Sequence, residues 1–146
     1  MFHAVPMDCI NQAVVSYAVP AALVMAIIYV EGGRNGTRNF NTNGTYDYGV
    51  MQINSAWLPA IASQFSYTSA DLQYDACKNV LAGSWILRQN LDREQSKPLM
   101  YAIGSYHSLT PQLNYIYSIK VLSAYQTIQQ VFGKSSNLCY GSGQIC

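Results

Sequence analysis

Two glutamates occur in the chain, Glu31 and Glu94, and their settings differ. Glu31 closes an apolar run, AALVMAIIYVE, and is followed by Gly32-Gly33 and a loop rich in glycine and asparagine. Burial there disfavours a carboxylate and raises its pKa, as does the partial negative charge of a helix C-terminus. A general acid near neutral pH needs that property. Arg34 or Arg38 close by would act the other way, and a plain ion pair with Arg34 is the competing role. Glu94 lies in DREQSK and reads as a solvated surface charge. Asp47 is the nearest second carboxylate of the kind that glycosidases pair across a bond. It sits in a Gly/Asn turn, where aspartate commonly bonds its own backbone, so a structural role is expected. GVMQIN follows, with Gln52 and Asn54 two apart. In an extended segment they share one face, opposite Met51 and Ile53, as amides lining a sugar cleft would. Any half-buried strand shows the same alternation. His107, in a loop, is a further candidate base or substrate contact.

These residues must be positioned by helices. The spacing predicts a first helix over Asp8 to Ala18 and a second over Pro20 to Val30. The second is apolar nearly all round, so its neighbours must bury it. Val19-Pro20 separates the two, and Gly32-Gly33 ends the second. Asn-Gly at 35–36 and again at 43–44 marks turns and allows one small hairpin. Gly49 to Ile53 reads as a short extended piece. A helix is expected from Ser55 to Phe65, limited by Pro59 in its first turn. Thr68-Ser69-Ala70-Asp71 has the form of a helix start. Asp75 to Leu91 shows a clear stripe at Val80, Ser84, Leu87 and Leu91. Asp92 to Pro98 reads as a solvated loop. Helix resumes over Leu99 to Tyr106, breaks at His107 to Pro111, and returns from Tyr115 to Phe132, stopped by Gly133. The expectation is one mostly helical domain over residues 1–146, with no repeat and no linker.

The chain has 146 residues, half of them apolar and 10% charged, with a net charge of +1. Its eight basic residues are scattered, which argues against nucleic acid as a partner. Tyrosine outnumbers phenylalanine, 12 to 4, and a ring with a polar tip suits sugar surfaces as well as core boundaries. Ala13 to Val30 carries no charge over 18 residues, the lower limit for a membrane span. Ser16, Tyr17 and Pro20 interrupt it and Glu31 follows, so a buried core helix is expected and stable membrane insertion is not. Met1-Phe2-His3 lacks the basic start of an export signal, so an exported protein would have this as its mature form. Cys9, Cys77, Cys139 and Cys146 form no metal-ligand spacing. Disulfides and an oxidising compartment are favoured over four free thiols. Of three possible pairings, the short Cys139/Cys146 loop with Cys9/Cys77 as a long staple is preferred. No phosphate loop, Ser/His/Asp order or metal cluster is present, so no metal or cofactor is expected.

Taken together, AALVMAIIYVE, then NxNGTxDxGVMQINSxWLP, then DxCxNVxxGxWIL resemble the lytic transglycosylase domain of the soluble-lytic-transglycosylase and goose-lysozyme superfamily. The likeness runs from about Cys9 to Tyr125 and is nearest to the small IpgF-like enzymes of secretion, conjugation and pilus systems. It implies a lysozyme-like fold with Glu31 as catalytic acid and base. It makes Gln52, Asn54, Met51 and Gly49 the cleft motif, and matches Tyr106 to the tyrosine of an A-Y-N-x-G motif. Tyr117, in YSIKVLSAY, matches a late tyrosine beside the glutamate, with Tyr115 as the fallback. It also implies a Cys9–Cys77 disulfide. Three positions depart from the pattern: Gly32 stands where a carboxyl-binding serine is usual, His107 where the asparagine would be, and Leu109 where the glycine would be.

Members of this family cleave the β-1,4 bond between N-acetylmuramic acid and N-acetylglucosamine in peptidoglycan. One glutamate protonates the leaving oxygen and then deprotonates the C6 hydroxyl, which attacks C1 to give a 1,6-anhydro product. An internal nucleophile removes the need for a second carboxylate. The resemblance thus implies a monomeric periplasmic enzyme that acts on glycan strands, opening the wall for a trans-envelope machine. A water-using muramidase, a non-catalytic wall-binding module and a membrane-anchored protein are the rival expectations.

Overall fold

A computed structural model describes residues 1–132. Helix α1 (Met7–Tyr17) ends at Ala18, which takes the left-handed conformation at φ 51°. Pro20 then starts α2 (Ala21–Glu31) by accepting its first backbone bonds. The uncharged run is therefore two helices rather than one, and no helix among the described residues is long and apolar enough to cross a membrane. Every residue of α2 from Ala21 to Ile28 is buried. Side chains such as Leu23, Ile27 and Ile28 each contribute about 1.5–3 kcal/mol on leaving water.

A small antiparallel sheet follows, in the order β1 (Arg38–Phe40), β2 (Tyr46–Tyr48), β3 (Ile53–Asn54). Its register sets Asp47 opposite Asn39 on one side and Asn54 on the other. The hairpin allowed by the Asn-Gly turns is thus present, with a third short strand added. A 3-10 turn (Ser55–Trp57) leads into α3 (Leu58–Phe65), with Pro59 in its first turn. Thr68 and Asp71 form the reciprocal capping box that starts α4 (Ser69–Tyr74), as the sequence motif predicts. Asp75 caps α5 (Ala76–Arg93) by accepting the Lys78 N–H. Helices α6 (Leu99–Gly104) and α7 (Pro111–Phe132) complete the described chain. The last begins four residues earlier than its spacing predicts, because Pro111 is preorganised for a first helical position.

The core lies between these elements: α2 packs on α7 and α1, α1 on α5, and α6 on both α5 and α7. Cys9 of α1 is bonded to Cys77 of α5 with Cα atoms 5.1 Å apart and a sequence separation of 68. A loop of that length is worth about 4 kcal/mol through the lost freedom of the unfolded chain. Cys139, Cys146 and Gly133 lie outside the described residues.

Candidate active site

Glu31 is the last residue of α2, and Gly32 behind it turns the chain away at φ 65° while its N–H bonds the Ile28 carbonyl. A side chain there would be strained by the backbone alone. Gly33 has a different reason. A β-carbon on it would run into the Gly49 and Val50 carbonyls and the Gln52 amide. These glycines bring the acid-bearing end of α2 against the turn that follows β2.

Gly32 offers no side chain to bond the carboxyl, and the hydroxyl that meets it comes from Tyr117 of α7. Its hydroxyl donates to Glu31 Oε1 at 2.9 Å. Tyr117 is buried and kept firmly protonated, and its ring lies parallel to those of Tyr106 and His107, with centroids 6.5 and 5.0 Å away. Burial raises the Glu31 pKa to about 7; the Tyr117 bond opposes this, and the charge of Asp47 adds to it. Arg38 lies over the Tyr46 ring, 4.7 Å from its centroid. Glu31 is thus substantially protonated at neutral pH. Removing the Tyr117 hydroxyl should raise its pKa further, since the bond favours the ionised form. Tyr117→Phe should therefore move the alkaline limit of activity to higher pH. It should also lower kcat roughly tenfold through loss of an orienting bond. A pH–rate profile reads both; an unmoved alkaline limit would remove Tyr117 from this role.

The sheet forms one side of a cleft of about 770 Å³, whose lining includes Glu31, Asp47, Gln52 and Asn54. The Asp47 carboxylate accepts the Asn41 amide at 3.0 Å and the Asn54 amide at 2.9 Å. It makes no bond to its own backbone, so the expected turn role is corrected: strand register, not a local turn, places Asp47. Asn54 is almost fully committed within the protein, since it also donates to Thr45 and accepts the Ala56 N–H. Gln52 accepts from Asn39 at 2.7 Å and donates to the Gly49 carbonyl at 2.9 Å.

Gly49 to Gln52 is not extended. It forms a tight turn closed by the Gln52 N–H on the Gly49 carbonyl, with Gln52 at φ 50°. As a result Met51 and Gly49 do not line the cleft. Met51 is wholly buried, packed where Gly83 of α5 has no side chain, and Gly49 is pressed against Asn79 and the Leu72 carbonyl. Both support the motif from behind. Asn79, which the sequence reading did not single out, is the keystone of that support. It accepts the Met51 N–H at 2.9 Å and donates to the Tyr48 and Leu72 carbonyls, each at 2.8 Å. Its signal is a polar residue one position before the helix stripe that begins at Val80.

The far side of the cleft comes from α5 and the loop after α6. Tyr106 lines it with its ring, while its hydroxyl donates to the Met51 carbonyl at 2.9 Å. Burial pushes the Tyr106 phenol well up, as do the Glu31 and Asp47 charges. His107 and Leu109 are exposed at the rim. Asn114 steadies this loop by donating to the Tyr101 and Ser108 carbonyls. Tyr115 is exposed, so Tyr117 and not its fallback meets the glutamate. Glu94 is half-buried and paired with Arg93 at 3.0 Å.

A helical body, a small sheet beside a long cleft, and a protonatable carboxyl at its foot together define a lysozyme-like domain. The chain belongs to the transglycosylase SLT domain family, whose model matches residues 8–130. It is similar to the protein IpgF of Shigella flexneri, 43% identical over 109 residues, covering 70% of this chain and 66% of that protein. The IpgF protein of Shigella sonnei is 46% identical over 109 residues with the same coverage. A transglycosylase of Enterobacteria phage PRD1 is 31% identical over 108 residues, covering 74% of this chain and 36% of the phage protein. The chain thus spans just under two thirds of the IpgF proteins and about a third of the phage protein.

Proposed function

We propose that this chain is a peptidoglycan lytic transglycosylase with Glu31 as its single acid and base. The observation that carries this reading is the half-buried Glu31 carboxyl, with a pKa of about 7 and a hydroxyl donor on one oxygen, in a polar cleft of a transglycosylase-family domain. Glu31 gives its proton to the oxygen of the N-acetylmuramic acid–N-acetylglucosamine link, and the C1–O bond breaks. The resulting Glu31 carboxylate then takes the proton of the C6 hydroxyl, whose oxygen bonds C1. No water is consumed, and the muramic end leaves as a 1,6-anhydro sugar. Gln52, Asn54, Tyr106 and His107 lie where they can meet the glycan, while Tyr117 positions the acid.

Asp47 favours one alternative. A second carboxylate in the same cleft could stabilise positive charge at C1 or bind water, as in a hydrolase. Mass spectrometry of digested sacculi separates the two readings. Muramic ends lighter by one water support transglycosylation; reducing ends would replace it with the muramidase reading. The Cys9–Cys77 bond supports an oxidising, extracytoplasmic site of action, the periplasm where the resemblance is followed. Local wall opening for a secretion, conjugation or pilus apparatus is the role implied by likeness to the small enzymes of those systems.

A further inference from the structure

We propose that Asn90, on the α5 side of the cleft, receives the N–H of a 2-acetamido group of the bound glycan and so helps select N-acetylated sugars. This deepens the glycan-cleaving reading and rests on it. Three observations meet at this residue. Asn90 lines the cleft, it is only 1% exposed, and its Oδ1 has no hydrogen-bond partner. Buried amide oxygens are nearly always bonded, because leaving one unpaired is destabilising. Ser84 Oγ is also unpaired, but Ser84 is not among the residues that line the cleft, so its state points to no ligand. At Asn90 the missing partner coincides with the place where substrate lies.

The helix adds the chemistry of the occupant. Ile86, Asn90 and Arg93 are spaced by four and three along α5, so they share one face, and all three line the cleft. Ile86 is buried and apolar beside the amide. An acetamido group carries a fixed N–H donor and a methyl. The donor suits Oδ1 and the methyl suits Ile86. A hydroxyl at the same sugar position would supply a donor but leave the apolar neighbour unfilled. A charged amine, which has no methyl, would likewise leave Ile86 without its contact. The surface therefore fits a neutral N-acetylated sugar better than its 2-hydroxy counterpart.

The test uses chito-oligosaccharides and cello-oligosaccharides of equal length, which differ at the 2-position and are both uncharged. Binding is followed by titration calorimetry, with Trp57, also in the cleft lining, as a fluorescence reporter. Asn90→Leu keeps the branched shape and removes the polar atoms. It should weaken chito-oligosaccharide binding about tenfold, weaken cello-oligosaccharide binding less because a hydroxyl can turn to another acceptor, and raise Tm by removing the unpaired oxygen. A merely structural asparagine would lower Tm and leave the preference between sugars intact. If Asn90→Leu does not fold, Asn90→Ala makes the same comparison. Equal affinity of variant and wild type for the N-acetylated sugar overturns the assignment of Asn90 alone. A wild-type chain that binds neither sugar overturns the glycan reading and this inference together.

Discussion

Glu31→Gln should abolish glycan cleavage, with kcat falling by about 10²–10⁴-fold, the usual contribution of a general acid–base group. The substitution keeps the shape and an acceptor for the Tyr117 hydroxyl, so binding should survive. Stability should move the opposite way, and the sign follows from the raised pKa. The Glu31 carboxyl moves from the ordinary glutamate value of 4.5 to about 7 in the fold, burial being the largest cause. Below about pH 4.5 it is protonated whether folded or unfolded and contributes no pH dependence. Between 4.5 and 7 the folded state holds a proton that the unfolded state has lost, so stability falls as pH rises. Above 7 the loss is complete, on the order of 3 kcal/mol. Glutamine carries no such penalty. Glu31→Gln should therefore match wild type in urea unfolding at pH 4 and exceed it at pH 8. Wild-type rates of sacculus digestion by Glu31→Gln would falsify the catalytic assignment. An absence of any pH-dependent stability gap would show that the carboxyl is not buried as described.

The acid was legible because the alternatives were few and its setting was local: an apolar helix, a glycine stop and a polar loop. The helices were legible for the same kind of reason, their apolar spacing and caps being written within each segment. Features that depend on distant segments were not. Asp47 reads as a turn residue until strand pairing sets it between Asn39 and Asn54. GVMQIN alternates like a strand, yet its first four residues fold as a turn, with Asn79, far along the chain, taking the Met51 N–H, and only Ile53 and Asn54 pair in the sheet. Met51 points inward because α5 offers it the space at Gly83. Tyr117 could be matched to the glutamate by resemblance, but nothing in its own helix shows that a hydroxyl will meet a carboxyl from α2. Asn79 and Asn90 share one side of α5 with Gly83 and Ile86, and spacing alone does not say that this side faces the sheet and cleft.

Asn79→Ala should be the most destabilising polar substitution among these residues. It strips the partner from the Met51 N–H and from the Tyr48 and Leu72 carbonyls, all at a wholly buried position. Each unsatisfied group costs about 1–3 kcal/mol, so the sum is on the order of 4 kcal/mol, a large share of the 5–15 kcal/mol that holds a domain folded. Asn79→Asp should be little better, since it keeps the acceptor for Met51 but points a carboxylate at two carbonyls. The function should fail with the structure, because the turn that Asn79 holds carries Gln52 and adjoins the strand bearing Asp47. Urea unfolding measures the first effect, and cleavage assayed at low temperature, where the variant is still folded, measures the second. A loss below about 1 kcal/mol would mean that the turn is held by packing on Gly83 and Gly33 rather than by this amide. The contrast with Asn90 sharpens the test. Two buried asparagines on one side of one helix should respond with opposite signs, Asn79→Leu falling in Tm and Asn90→Leu rising, because the first is satisfied by the protein and the second awaits a ligand.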